Sequence, residues 1–290
     1  MTRATGLALY GGTARASATP VIRRYSTSFR LATALFPRRC RAAVAAIYAL
    51  VRIADEVVDG TAAEAGLDRD AQRRVLDELE AETERAVATG FSANLVVHAF
   101  AAVARTCAVE PALTRAFFAS MRRDLDAVDF DLPEYQRYVH GSAEVVGLMC
   151  LRVFLAGRPV SPATATALDE GAARLGAAFQ KVNFLRDLGD DRRRLGRAYL
   201  PGSADGLTDA GKAAVVADVR ADLRAARAAV PLLPADCRHA VLVATAIFGE
   251  LLRRIDRLPA DRLSHVRVSV PTPVKVALAV RWTLAPAVAA

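Results

Sequence analysis

Residues 183–201 read NFLRDLGDDRRRLGRAYLP and place Asp187, Asp190 and Asp191 within five positions at the end of an apolar run. Arg186 precedes the first acid, and Arg192, Arg193 and Arg194 follow the last. Upstream, Gln180 and Asn183 lie seven and four residues before Asp187, and Asp191 four residues after it, so at 100° per residue all four share one stripe of a helix. Phe179, Val182 and Leu185 cover the other faces. Gly189 inside the acid cluster costs a helix about 1 kcal/mol relative to alanine, which predicts that the helix ends or bends there.

A second stretch repeats the pattern. In IYALVRIADEVVDG (47–60), Tyr48, Arg52, Asp55 and Asp59 fall on one stripe of a helix otherwise built from Ala, Val, Leu and Ile. Gly60 reads as the terminator, which puts Asp59 at the negative end of the helix dipole, an unfavourable place by roughly 0.3–1 kcal/mol. A single D-x-x-x-D is usually a solvated face. Two of them, each ending an apolar helix and each set against the dipole, point elsewhere. Facing carboxylates repel by several kcal/mol at an effective dielectric of about 20, and a divalent cation relieves this. Magnesium suits such a site, because it binds through one or two carboxylates and takes its other ligands from water and substrate phosphate. Arginines beside the acids can hold phosphate oxygens bidentately. The residues therefore predict a metal-bridged diphosphate site at the mouth of a greasy helical cavity.

The whole chain is consistent with helices. Its 290 residues are 53% hydrophobic and only 6% aromatic. Period-3.6 patterns predict helices near 37–59, 69–89, 92–108, 111–127, 134–156, 161–192, 209–230, 235–257 and 271–284, with Gly/Pro/Asp-rich joints between them. No alternation marks a sheet and no repeat is present. The expectation is one all-α domain over 1–290, with residues 1–20 as a flexible N-terminus. Cys40, Cys107, Cys150 and Cys237 are far apart with no CxxC spacing, which argues against a zinc knuckle or a disulfide framework and fits a reducing cytoplasm. No segment supplies the roughly 18 uncharged apolar residues of a membrane span. VKVALAVRWTLAPAVAA (274–290) comes nearest, but Lys275 and Arg281 interrupt it, and it reads as a surface helix that touches lipid. The net charge of +8 is nearly all arginine, with Lys181, Lys212 and Lys275 the only lysines. It is spread over most helices rather than along one stripe with interleaved aromatics, so nucleic acid is not expected as a partner.

Four blocks in order resemble the phytoene/squalene synthase family of head-to-head prenyl transferases: YSTSFRLATALFPRRCRAAVAAIYALVRIADEVVDG (25–60), YVHGSAEVVGLM (138–149), FQKVNFLRDLGDDRRRLGRAYLP (179–201) and HVRVSVPTPVKVALAVRW (265–282). The resemblance implies the all-α isoprenoid-synthase fold, a helical bundle around a central cavity. It implies magnesium, with manganese as a substitute, held by Asp55, Asp59, Asp187 and Asp191 with Glu56, Asn183 and Asp190 beside them. It assigns diphosphate contacts to Arg52, Asn183, Arg186, Arg197, Tyr199 and Arg267, and the prenyl pocket to Ser28, Phe29, Tyr48 and Gln180. Two prenyl diphosphates would join through a cyclopropylcarbinyl diphosphate, and a second ionisation with proton loss gives a phytoene-type triene. His140 and Gly141 stand where the family often has an aromatic residue, so Tyr138, His140 or the diphosphate itself is the expected proton acceptor.

Phytoene from geranylgeranyl diphosphate is the expected product. The alternative is the same chemistry on farnesyl diphosphate, giving squalene, presqualene diphosphate or a C30 carotene, with NADPH needed only for squalene. A terpene cyclase or a chain elongase also uses two acidic helices, but the RDLGDD…GRAYLP block and the lack of a D-D-x-x-D argue against both. The amphiphilic substrate and hydrocarbon product further imply peripheral contact with the inner face of the cell membrane, by a monomer or weak homodimer.

Overall fold

A computed structural model describes residues 6–126 and 129–284, apart from the side chains of Ser28 and Leu284. The helices are α1 (Gly6–Tyr25), α2 (Thr27–Leu35), α3 (Arg38–Val58), α4 (Thr61–Glu64), α5 (Arg69–Thr89), α6 (Leu95–Cys107), α7 (Pro111–Asp126), α8 (Leu132–Val139), α9 (Val145–Leu155), α10 (Pro162–Asp190), α11 (Asp209–Ala229), α12 (Ala235–Asp256), α13 (Ala260–Leu263) and α14 (Thr272–Leu284). Among the described residues there is no strand, only an isolated bridge between Asp129 and Ala198.

Local chemistry sets the helix starts. Asp68, Asn94, Ser161 and Thr208 each accept a hydrogen bond from a first-turn backbone N–H of α5, α6, α10 and α11. Asp131 and Glu134 close a capping box on α8. Gly60, at φ 109°, ends α3 in the left-handed conformation that a residue with a Cβ rarely adopts.

Two expectations need correction. Residues 6–20 are not a flexible arm. They belong to α1, whose Ala14, Ala18 and Ile22 are buried in the core formed with α3 and α6. Gly11, Gly12 and Pro20 hide this helix from a propensity reading, and tertiary packing overrides them. The long helix expected over 134–156 is α8 and α9 joined by a π-helical turn at His140–Glu144. Gly141 sits so close to Ala116 and Ser120 of α7 that any Cβ would overlap the Ala116 carbonyl. At Gly189 the expectation holds: α10 ends one residue later, at Asp190, and passes into a π-helical turn at Asp191–Leu195. The glycine is there because the Ser264 carbonyl lies against its Cα, where a methyl group would collide.

The same close approach builds the centre. Gly147 of α9 lies on the Ala172 carbonyl of α10, and Gly176 of α10 lies on the Ala143 carbonyl of the π turn. Small residues let these backbones touch, so α9 and α10 form one rigid wall. The stretch Leu132–Leu155 is apolar enough in length and composition to cross a membrane, with mean hydropathy 1.3. Here its π turn and α9 pack against α7 and α10, and 44% of its apolar window is buried.

Candidate active site

A large cavity runs between α3, α9, α10 and α12 and has a volume of 1030 Å³, at the upper end of the range of about 300–1,000 Å³ for small-molecule sites. Its inner part is apolar. Phe29 meets Tyr48, Phe179 and Phe248 at centroid distances of 6.0, 5.8 and 5.7 Å, and Phe179 stacks on Phe248 at 3.8 Å. Phe36 and Phe154 stack at 4.8 Å elsewhere on the wall, alongside Cys150, Leu168 and Leu233.

The charged end holds both stripes. Arg52, Asp55, Glu56 and Asp59 line it from α3, and Asn183, Arg186, Asp187, Asp190 and Asp191 from the end of α10. Gln180 and Tyr48 lie on the same stripes further in. Arg197 ties the two together. Its backbone N–H donates to the Asp191 carbonyl at 3.1 Å, and its guanidinium donates to Asp59 Oδ1 at 3.1 Å and to the Val58 carbonyl at 2.6 Å. Arg267 reaches in from the segment before α14 and donates to Asp187 Oδ1 at 2.7 Å, beside Arg186 at 2.9 Å.

Burial decides the ionisation of these acids, and the arginines correct it. Asp55 is pushed well above the usual carboxylate range by burial and then by the charge of Asp59. Asp191 is pushed up to about 8 by burial, then by Asp187 and Asp59. Burial raises Asp59 too, with Arg197 opposing it. Asp187 goes the other way: burial works against its charge, but Arg186 and Arg267 hold it below the ordinary value. Glu56 is likewise lowered against burial by Thr61 and Arg52.

This donor set suits a divalent cation. Among the described residues no three acidic, His or Cys side chains close on one point as a ready cluster. The acids instead line one mouth on two helices, and Asp55 and Asp191 carry electrostatic cost that a cation removes. Magnesium fills its remaining positions with water and phosphate oxygens. Two buried side-chain polar atoms lack any partner among the described residues, Arg52 Nε and Ser142 Oγ, and both residues line this cavity.

Other expected residues are placed differently. Tyr138 is buried, lines the cavity, and donates to Asp124 Oδ2 at 2.7 Å. Tyr199 donates to Asp124 Oδ1 at 2.8 Å and accepts from Arg197 at 3.0 Å. His140 does not line the cavity. Its side chain is 52% exposed and pairs with Glu144 at 2.9 Å, on the helix face opposite buried Tyr138. Ser28 lies in α2, and its side chain is outside the described residues.

Asp124 was missed by sequence reasoning. In MRRDLD it resembles a solvated acid beside arginines, yet it stands on the buried stripe of Phe117 and Met121. An acid on an apolar stripe was the available signal. Burial pushes it up to about 6, against the pull of Arg197 and the two tyrosines. Lys275, which donates to Thr27 Oγ1 at 2.7 Å, and Arg194 also line the cavity unannounced.

Comparison with known proteins gives this arrangement a place. Residues 22–273 match the squalene/phytoene synthase family. The chain belongs to that family. It is 34% identical over 186 residues to the phytoene synthase of Mycobacterium bovis, a match that covers 62% of this chain and 55% of that one. It is 35% identical over 201 residues to the 15-cis-phytoene synthase of a Paracoccus species, covering 67% and 62%. The match thus spans just over half the length of these relatives. Among solved structures, a dehydrosqualene synthase in complex with ligand superposes with a TM-score of 0.77 at 23% identity, covering 94% of this chain and 96% of that one. That likeness shows the isoprenoid-synthase fold.

Proposed function

We propose that this chain joins two prenyl diphosphates head to head, with geranylgeranyl diphosphate as substrate and phytoene as product. The observation that carries this reading is the joining of two acidic motifs by Arg197 at one end of a large apolar cavity. The two relatives named above, both phytoene synthases, favour the C20 substrate over farnesyl diphosphate.

Arg52, Arg186 and Arg267 are placed to hold phosphate oxygens and stabilise the leaving diphosphate. Asp55, Asp59, Asp187 and Asp191, with Glu56, Asn183 and Asp190 beside them, would hold magnesium, which supplies charge neutralisation of the departing diphosphate. The aromatic wall around Phe29, Phe179 and Phe248 keeps water from the allylic cation and offers it no nucleophile. The second alkene attacks to give a cyclopropylcarbinyl diphosphate, whose ionisation and proton loss yield the triene. We assign that proton loss to Tyr138, which lines the cavity and donates to Asp124, or to the diphosphate itself. No NADPH is needed on this route.

The outer face of α14, with Val276 and Val280 half exposed next to Arg281, is proposed to rest on an anionic membrane surface. Flotation with anionic vesicles at low salt checks this; a chain that never floats contradicts it. The catalytic reading is tested by incubating the purified chain and Mg²⁺ with geranylgeranyl or farnesyl diphosphate, each with and without NADPH, and extracting for mass spectrometry. A C40 triene without NADPH is expected. C30 products from farnesyl diphosphate alone would reassign the substrate.

A further inference from the structure

Two helix starts in this fold are built alike. Phe36-Pro37-Arg38-Arg39-Cys40 opens α3, and Leu233-Pro234-Ala235-Asp236-Cys237 opens α12. In each, the proline is the N-cap, and the cysteine N–H bonds to the proline carbonyl, at 2.9 Å for Cys40 and 2.8 Å for Cys237. In each, the residue before the proline lines the cavity. The two turns pack against each other position for position. Arg39 grips Asp236 through two hydrogen bonds of 3.0 Å, and beneath that pair the Cys40 and Cys237 sulfurs lie 4.0 Å apart.

We propose that Cys40 and Cys237 form a reversible dithiol–disulfide pair, closed by hydrogen peroxide and reopened by a thiol reductant, that ties the start of α3 to the start of α12. The inference does not depend on the catalysed reaction. Both thiols are fully buried. What covers them is the Arg39–Asp236 pair, whose side chains are 33% and 35% exposed, so a small oxidant enters when that pair parts. Arg39 Nη2 donates to Cys237 Sγ at 3.4 Å, and its Nη1 donates to the Phe154 carbonyl at 3.1 Å, so the guanidinium also holds the sulfurs against α9.

The two sulfurs have different roles. Cys40 is drawn toward the thiolate by the hydrogen bond from Cys237 and by the charges of Arg39 and Arg158, against burial and the charge of Asp236. Cys237 is held as the thiol by that same bond and by burial. Cys107 and Cys150 are both raised by burial, so Cys40 alone among the four is shifted toward the reactive form. A place in the first turn of a helix favours the thiolate of both cysteines alike. The steps balance. The Cys40 thiolate attacks one peroxide oxygen; an S–O bond forms, the O–O bond breaks, and hydroxide leaves and is protonated to water. The product is a sulfenic acid. Cys237 sulfur then attacks the Cys40 sulfur; the S–S bond forms, the S–O bond breaks, and the departing hydroxide takes the Cys237 proton as a second water. Two thiols and one hydrogen peroxide become one disulfide and two waters.

Because Phe36 and Leu233 sit directly ahead of the two turns, the closed form fixes that part of the cavity wall against relative motion of α3 and α12. The test treats the full-length folded chain with hydrogen peroxide, alkylates free thiols after denaturation, and maps tryptic peptides by mass. The expected result is a Cys40–Cys237 cross-linked peptide that dithiothreitol removes and that a Cys107→Ser/Cys150→Ser chain still forms. Cys237→Ser should instead leave a sulfenic acid at Cys40 that dimedone traps. Should that variant not fold, the wild-type map decides alone. Cross-links to Cys107 or Cys150, oxygen uptake at Cys40 without closure, or a folded chain whose Cys40 and Cys237 stay alkylatable would each overturn the proposal.

Discussion

The charged and apolar parts of the one cavity are built by opposite rules. Where Asp55, Asp59, Asp187 and Asp191 gather, each charge is held at a cost, and four arginines, Arg52, Arg186, Arg197 and Arg267, correct it. Around Phe29, Phe179, Phe248, Phe36 and Phe154 there is almost nothing to ionise. The contrast matches an amphiphile: a polyanionic head that must be pulled apart and a hydrocarbon that must be kept dry. It also divides the consequences of mutation. Changes among the charges should strike chemistry and spare the fold, whereas changes at the backbone contacts behind the apolar wall should strike stability.

The largest expected effect is at the acids. Asp55→Ala or Asp187→Ala should lower turnover by about 10³-fold or more, because charge stabilisation in a water-poor site is worth several kcal/mol. Circular dichroism should remain that of the wild type. A variant that keeps a tenth of its activity would remove these residues from the centre of the account. Behind the wall, Gly176→Ala forces a methyl group into the Ala143 carbonyl and should cost about 1–3 kcal/mol in urea denaturation. An unchanged midpoint would mean that α9 and α10 can part freely.

How much of this was legible in the sequence differs between the same two parts. The stripes of 48–59 and 180–191 were readable because helical spacing alone puts their residues on one face. Arg197 and Tyr199 were readable only through the resemblance, since a link from Arg197 to Asp59 crosses more than a hundred residues. Gly189 announced itself as a cost, but its cause, the Ser264 carbonyl, lies on a distant segment that no local pattern reports. The same is true of α1, whose glycines and proline argue against a helix that packing on α3 then enforces. His140 stands two positions after buried Tyr138, so helical spacing alone sets it on the opposite, exposed face, a signal that the resemblance to the family overrode.

Asp124 joins the two parts and sharpens the comparison through pH. Its carboxyl holds a proton more tightly in the folded chain, near 6, than the ordinary 3.8 expected unfolded. Its contribution to stability is therefore most favourable at and below about pH 4 and is lost as pH rises through 6. Relative to Asp124→Asn, wild-type stability should fall by about 2 kcal/mol between pH 4 and 7. A difference flat across that range would show that the tyrosines and Arg197 hold the acid ionised throughout. A smaller effect is expected at the wall: Phe154→Ala opens space beside Phe36 and should shift kcat/KM toward a longer prenyl chain by about 10-fold. An unchanged ratio would place the length limit elsewhere. The smallest is His140→Ala, which removes only a surface pair and should leave stability within about 0.5 kcal/mol and turnover nearly unchanged. A large loss there would return His140 to the chemistry.

The most direct test of the central claim is the count of diphosphates released per product. Purified chain, Mg²⁺ and geranylgeranyl diphosphate would be assayed in parallel for inorganic diphosphate and for C40 hydrocarbon. Head-to-head joining predicts two diphosphates for each C40 hydrocarbon. One diphosphate per product, whether a C20 hydrocarbon or a chain that keeps its own diphosphate, would contradict the account.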